Sequence, residues 1–240
     1  MQDALYVALS SQIALEKRLT TIADNVANSN TVGFRATGVK FEDLVTGTMS
    51  KGIAFASAGD TYLSTQTGGM KQTGNPLDFA IRGDGWFGIQ TPAGIVMTRD
   101  GRFTVDQTGQ LLTLEGYPVL DAGGAPVQLD PNGGAPQAGA DGMLSQNGAQ
   151  VAALGLFSFE PGPEFQRFGN SGVIPKTPPE PLVDRIDAGV VQGALEESNV
   201  NPVLEMTRLI AVQRAFENTA ALVRQTGASF DDAIKTLGTK

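Results

Sequence analysis

NVANSNTVGFRAT (Asn25–Thr37) decides how this chain divides. Upstream of it, apolar residues recur at helical spacing. Inside it, three asparagines fall within six residues, and a Gly-Phe-Arg then starts chemistry of a different kind. Asn28, Ser29 and Asn30 suit a helix interior poorly, because their short polar side chains compete for backbone hydrogen bonds. They are expected to end a first helix. A counterpart, EESNVNPVLEM (Glu196–Met206), opens the last one. There Asn201 supplies an N-cap, Pro202 fits the first helical position, and Glu205 suits the positive end of the helix dipole. If the terminal helices pair, the two boundary stretches are expected to lie together.

Glycine follows the same partition. Of 30 glycines, none precedes Gly33 and only Gly227 and Gly238 follow Pro202. Glycine weakens helix interiors and serves turns, so the ends are helix-compatible and the middle is turn-rich. On the N-terminal side Leu5, Ala8, Gln12, Leu15, Leu19, Ile22 and Val26 continue an alternating four-three spacing from Met1. On the C-terminal side Met206, Leu209, Gln213, Phe216, Ala220, Val223, Gly227, Phe230, Ile234 and Leu237 repeat it, eight of the ten being apolar. This is a heptad seam, the pattern of helices that pack along their length as a coiled coil. Gly227 is expected to bend or interrupt the second helix. Tyr6, Val7, Leu9 and Ile13 lie off the seam and widen the apolar stripe. Two helices alone are marginal in water, so these are expected to order firmly only among further helices. The alternative is two amphipathic helices that cover a globular core.

The middle reads as strands. Asp100-Gly101, Thr108-Gly109, Glu115-Gly116, Asp141-Gly142 and Asn147-Gly148 separate short β-favouring runs: GIVMT, FTVD, LLTL, YPVL and VAALGLFSF. Spacing near eight residues predicts a meander of antiparallel hairpins. The expected fold is α+β: a mainly-β central domain, meander or barrel-like, with long terminal helices.

Composition removes several chemistries. There is no cysteine and no histidine, which excludes disulfides, thiolate nucleophiles, imidazole bases and most zinc sites. A net charge of −8, almost all of it in the middle, argues against nucleic acid and anionic membranes. The N-terminus has neither a basic n-region nor a continuous apolar h-region, so no Sec signal peptide is expected. The longest near-apolar run, Val151–Phe159, is too short to span a bilayer. GDGWFG (Gly83–Gly88) matches a dinucleotide fingerprint literally, but Pro92 and strand-favouring residues follow where a helix is needed. Asp78, Asp84, Asp100, Asp106 and Asp121 could supply a paired-carboxylate site. Asp84 and Asp100 adjoin glycine, where aspartate serves turns. Arg35, Arg99 and Arg102 read as solvated charge, or as contacts to an acidic neighbour. No cofactor, metal or catalytic residue is expected.

ADNVANSNTVGFRA and GALEESNVNPVLEMTRLIAVQRAFE (Gly193–Glu217) resemble the two terminal signatures of bacterial flagellar basal-body rod and hook proteins. TGNPLDFAIRGDGWFGIQTPAG and TRDGRFTVDQTGQLLTLEGYPVL resemble the family's central β segment. The resemblance carries Asn28, Asn30, Thr31, Gly33, Phe34, Ser198, Asn199 and Asn201 as family motif residues. It implies a structural rod subunit that contacts itself and other rod proteins. The seam residues Leu5, Leu15, Leu19, Ile22, Val26, Met206, Leu209, Phe216, Val223, Phe230, Ile234 and Leu237 would form the subunit contacts. It also implies export through the flagellar type III apparatus without a cleaved signal peptide, and a place in the periplasmic rod. There would be no small-molecule substrate, no nucleic acid and no membrane insertion. Residues 1–30 and 200–240 would form an inner tube, 31–74 and 185–199 a connecting β-rich region, and 75–184 an outer β domain. Chain length and the tryptophan of Gly-Asp-Gly-Trp-Phe point to the proximal rather than the distal rod. A secreted β-domain enzyme or carbohydrate binder with helical appendages is the competing class, and it has no need of heptad seams at both termini. Phe216→Asp, which places a charge on the seam, is expected to block incorporation without unfolding the middle.

Overall fold

The structure is a computed structural model that describes residues 2–40, 43–46, 53–56, 59–163, 165–182 and 188–238; side chains at 2–5, 43–46, 53–56, 230–234 and 237–238 are excepted. The chain folds as α+β in two compact units: a helical unit of residues 1–27, 37–62 and 201–240, and a β unit of residues 28–36 and 63–200.

In the helical unit, α1 (Gln2–Ala27) packs against α2 (Pro202–Gly238). α1 stops just before the asparagine cluster. Its last turn is fastened by Asn25, whose amide donates to the Thr37 carbonyl and accepts from the Thr37 N–H, both at 2.9 Å. α2 starts as its sequence dictates: Asn201 Oδ1 accepts from Leu204 N–H at 3.1 Å, and Pro202 occupies the first helical position. α1 ends where α2 begins, for Asn25 Nδ2 lies 3.5 Å from Glu205 Oε2, so the helices run antiparallel. Two short ribbons complete the unit, Thr37–Lys40 with Asp60–Leu63, and Asp43–Thr46 antiparallel to Ile53–Ala56.

Gly227 does not interrupt α2, which is one helix of 37 residues. A methyl group at Gly227 would meet nothing within 4 Å. Gly227→Ala is therefore expected to stabilise the helix by about 0.5–1 kcal/mol through lower unfolded-state entropy and better propensity. A rise in the midpoint of helix melting, followed by circular dichroism, checks this.

The β unit is built on a six-stranded antiparallel sheet in the order Gln166–Phe168, Gly172–Ile174, Gly94–Thr98, Trp86–Thr91, Leu156–Ser158 and Glu180–Pro181. Strand alternation sends Phe87, Ile89 and Val96 to one face and Trp86 and Met97 to the other. The first set joins a core with Phe79, Phe103, Leu111, Val119 and Leu144. The second joins Leu63, Leu120, Phe157 and Val173. Among the described residues no sheet closes on itself, so the expected barrel-like form is not what the strands make.

The hairpins follow their turn chemistry. Asn147 and Gly148, at φ 52° and 79°, form the tight turn between Met143–Gln146 and Ala149–Ala153. Phe103–Val105 and Leu111–Thr113 pair across Thr108-Gly109. Two runs differ from expectation. VAALGLFSF is broken at Leu154-Gly155, and Leu156–Ser158 enters the main sheet instead. YPVL makes only isolated bridges, Leu112↔Pro118 and Ile89↔Val119, because Pro118 has no N–H to continue a ladder.

Candidate functional site

In the helical unit the chemistry lies on the surface. Among the described residues, eight of twelve exposed large hydrophobic side chains belong to the two helices: Tyr6, Leu9, Ile13, Val203, Leu204, Met206, Ile210 and Leu222. They are not scattered. Tyr6, Leu9 and Ile13 have three-four spacing and so form one stripe on α1; Val203, Met206 and Ile210 form another on α2. Ile13 is 52% exposed, Ile210 53% and Val203 75%. A contiguous apolar stripe facing water marks a surface that another chain covers.

The seam residues divide accordingly. Ile22 is buried, and Leu15, Leu19 and Val26 are half-buried along α1. On α2 the inward line runs through buried Glu205 and Val212 and half-buried Leu209, Phe216 and Val223. It shares Leu209, Phe216 and Val223 with the heptad seam, whereas Met206 and Gln213 face solvent one residue, or about 100°, further round the helix. The side chains of Leu5, Phe230, Ile234 and Leu237 lie outside the described residues.

The motif residues of the β unit form a junction of three chain segments. Residues 28–36 begin with a turn in which Thr31 Oγ1 lies 3.1 Å from Asn28 Oδ1, and Phe34 N–H bonds the Thr31 carbonyl at 3.2 Å. Asn30 is exposed. Gly33 has φ +68°, and a Cβ there would sit 2.3 Å from Asp100 N and 2.4 Å from the Arg99 carbonyl carbon. Its N–H bonds the Glu196 carbonyl at 2.8 Å. Asn199 closes the junction: it accepts from Ala36 N–H at 2.7 Å and donates to the Gln66 carbonyl at 2.8 Å. Ser198 Oγ accepts from Val200 N–H at 3.3 Å. The two boundary stretches thus lie side by side, as the sequence predicts.

Arg35 and Arg99 are not solvated. Both are almost wholly buried against one carboxylate, Glu196, at 2.7 Å and 2.9 Å. Their guanidinium carbons stand 5.9 Å and 5.5 Å from the Trp86 ring centre. Arg99 also donates to the Gly83 carbonyl at 2.9 Å, and Arg35 to the carbonyls of Thr65 and Gln66. Burial outweighs the pull of Glu196 and pushes Arg35 down to about 10 and Arg99 below its ordinary value. At about 10, Arg35 keeps its charge at neutral pH, and Arg99 is a guanidinium, a group that stays protonated in proteins. Arg102 pairs locally with Asp100 at 2.9 Å and 2.5 Å. Sequence reading missed Glu196 and Trp86, since a buried ion triad has no periodicity to betray it.

GDGWFG is a strand entry. Gly83 and Gly85 adopt positive φ, and Trp86–Thr91 follows as strand where a nucleotide site needs a helix. At Gly88 a Cβ would meet the Phe157 ring at 2.7 Å. The aspartates are spent on turns. Asp106 Oδ1 accepts from Thr108 Oγ1 at 2.7 Å, Gln110 N–H at 2.9 Å and Thr108 N–H at 2.8 Å, which holds its carboxyl below the usual range. Asp121 does the same for Gly123 and Ala125. The cleft between Asp100, Arg102, Glu115 and Tyr117 holds Asp100 already engaged by Arg102. No group of three acidic residues able to hold a metal occurs among the described residues.

Exposed apolar stripes on the terminal helices point to a component of an assembly. Comparison with known proteins agrees. Residues 5–35 match the flagella basal body rod protein model, 80–146 the flagellar hook protein FlgE/F/G D1 domain, and 191–236 the C-terminal model of flagellar basal body rod FlgEFG proteins. The flagellar basal-body rod protein FlgF of Mesorhizobium japonicum is 68% identical over 100% of both chains, and that of Rhizobium meliloti 57% identical over 99% of both. The rod protein FlgG of Bacillus subtilis is 31% identical over 93% of this chain and 94% of its own. The chain belongs to the flagellar basal-body rod protein family, a structural family without enzymatic activity.

Proposed function

We propose that this chain is a structural subunit of the bacterial flagellar rod, in its proximal part, and that it assembles with other rod proteins through its terminal helices. The observation that carries this is the pair of solvent-facing apolar stripes on α1 and α2. Relatives named for FlgF align end to end at 68% and 57% identity, against 31% for a FlgG, and that difference favours the proximal over the distal position.

Contacts of the stripes with neighbouring copies repeat without closing and so generate a helical filament. In that arrangement residues 1–30 and 200–240 pair as a coiled coil and form the inner tube. Residues 31–74 and 185–199 connect it to an outer β domain at 75–184. Side chains interlocked along helices resist compression, which suits a shaft that carries torque across the periplasm. No helix among the described residues is long and apolar enough to cross a membrane. Delivery through the flagellar export apparatus is part of this reading.

Removal of residues 211–240 tests the proposal. Truncation is expected to abolish incorporation into rods in a complementation and basal-body purification assay, while the β unit keeps its cooperative unfolding. Normal rods built from the truncated chain would contradict assembly through the helices.

A further inference from the structure

The buried triad links segments that lie far apart in sequence. Arg35 belongs to the stretch that directly follows α1, Arg99 to the end of the strand Gly94–Thr98, and Glu196 to the stretch that directly precedes α2. Both arginines and the glutamate have side chains 2–3% exposed. One carboxylate therefore serves two guanidiniums, and each Glu196 oxygen takes one of them; Oε1 also accepts from Gly68 N–H at 3.0 Å. The Nε of Arg35 and of Arg99 has no hydrogen-bond partner. The interior thus holds more positive charge than Glu196 neutralises. Removing one member of a buried ion group leaves an uncompensated charge, and this is far costlier than removing the whole group.

We infer that Glu196 is a charge latch: residues 31–36 dock onto the β unit only when residues 194–199 dock beside them. Without the carboxylate, closing the segment would bury Arg35 next to Arg99 against one indole ring. With it, the segment is drawn in and then held by neutral contacts. Gly33 N–H meets the Glu196 carbonyl, Asn199 N–H meets the Phe34 carbonyl at 3.3 Å, and Asn199 Oδ1 accepts from Ala36. Arg167 lies 4.4 Å from the Phe34 ring centre and donates to the Arg35 carbonyl at 2.6 Å, so Phe34 is capped once Arg35 is in place. Residues 194–196 are themselves held by pairing with Met70–Gln72. The stretch leading out of α1 and the stretch leading into α2 therefore order together. The β unit carries this device whatever the helices pack against.

The test is hydrogen exchange by mass spectrometry on the full chain, comparing a peptide covering 28–36 with one covering 86–98. In the parent both are protected. Glu196→Gln keeps size, removes the charge and leaves one acceptor oxygen where the carboxylate has two, and is expected to speed exchange of 28–36 at least tenfold while 86–98 is unchanged. Replacing all three residues by methionine (Arg35→Met, Arg99→Met, Glu196→Met) removes the charge imbalance and is expected to restore protection of 28–36. Protection of 28–36 that survives Glu196→Gln overturns the latch. So does equal opening of 86–98 in that variant, or a triple variant that exchanges as fast as Glu196→Gln.

Discussion

Ile13→Asp combined with Ile210→Asp is expected to eliminate incorporation into rods while leaving the monomer folded. Both side chains are about half exposed, one on each apolar stripe. In the free chain the aspartates remain in water, so the unfolding midpoint should move little. At a subunit contact each carboxylate would be buried without a partner, at a cost of several kcal/mol, which is more than a tenfold loss per site. Quantifying the variant in purified basal bodies against its soluble level checks the prediction. Parent-like incorporation would mean that the stripes face no neighbour. A variant that does not accumulate as folded monomer would mean that the stripes serve the chain's own core.

Gly33→Val is expected to be the most damaging single change in the β unit. The site needs φ +68°, which a β-branched residue tolerates poorly, and the added Cβ meets backbone of Asp100 and Arg99 rather than a movable side chain. Strain of this kind costs on the order of 1–3 kcal/mol, and overpacking adds a similar amount. The Gly33 N–H bond to the Glu196 carbonyl would be displaced as well. Denaturant unfolding followed by the fluorescence of Trp86, the sole tryptophan, should show a loss of about 3 kcal/mol or more. A change within about 0.5 kcal/mol, the usual range for surface substitutions, would show that the junction can yield.

What was legible in the sequence was local. Asn28–Asn30 stop α1 and Asn201-Pro202 starts α2 because capping acts within one turn. Asn147-Gly148 specifies its own hairpin. Asp100 and Asp141, each followed by glycine, were readable as turn residues because each accepts from the N–H two positions on. What was not legible depends on partners distant in the chain. Arg35 and Arg99 look like surface charge until Glu196 is placed between them. Asn25 looks like part of a helix stop, yet its amide pairs with both backbone groups of Thr37. On α2 the four-three spacing fits two lines one residue apart, and only the partner helix selects Glu205 and Val212 over Met206 and Gln213. The residues that this selection leaves outside face solvent. The break at Leu154-Gly155, which sends Leu156–Ser158 into the main sheet, is likewise not a periodic signal.

The central claim is that the helix stripes are bare in the free subunit and covered in the rod. The chain contains no cysteine, so Leu9→Cys and Met206→Cys each introduce a single reporter. The decisive measurement is the rate of maleimide labelling of each reporter in the purified subunit and in isolated basal bodies. Rapid labelling of the free chain and at least tenfold protection in basal bodies is the predicted result. Equal labelling in both states would contradict assembly through the stripes.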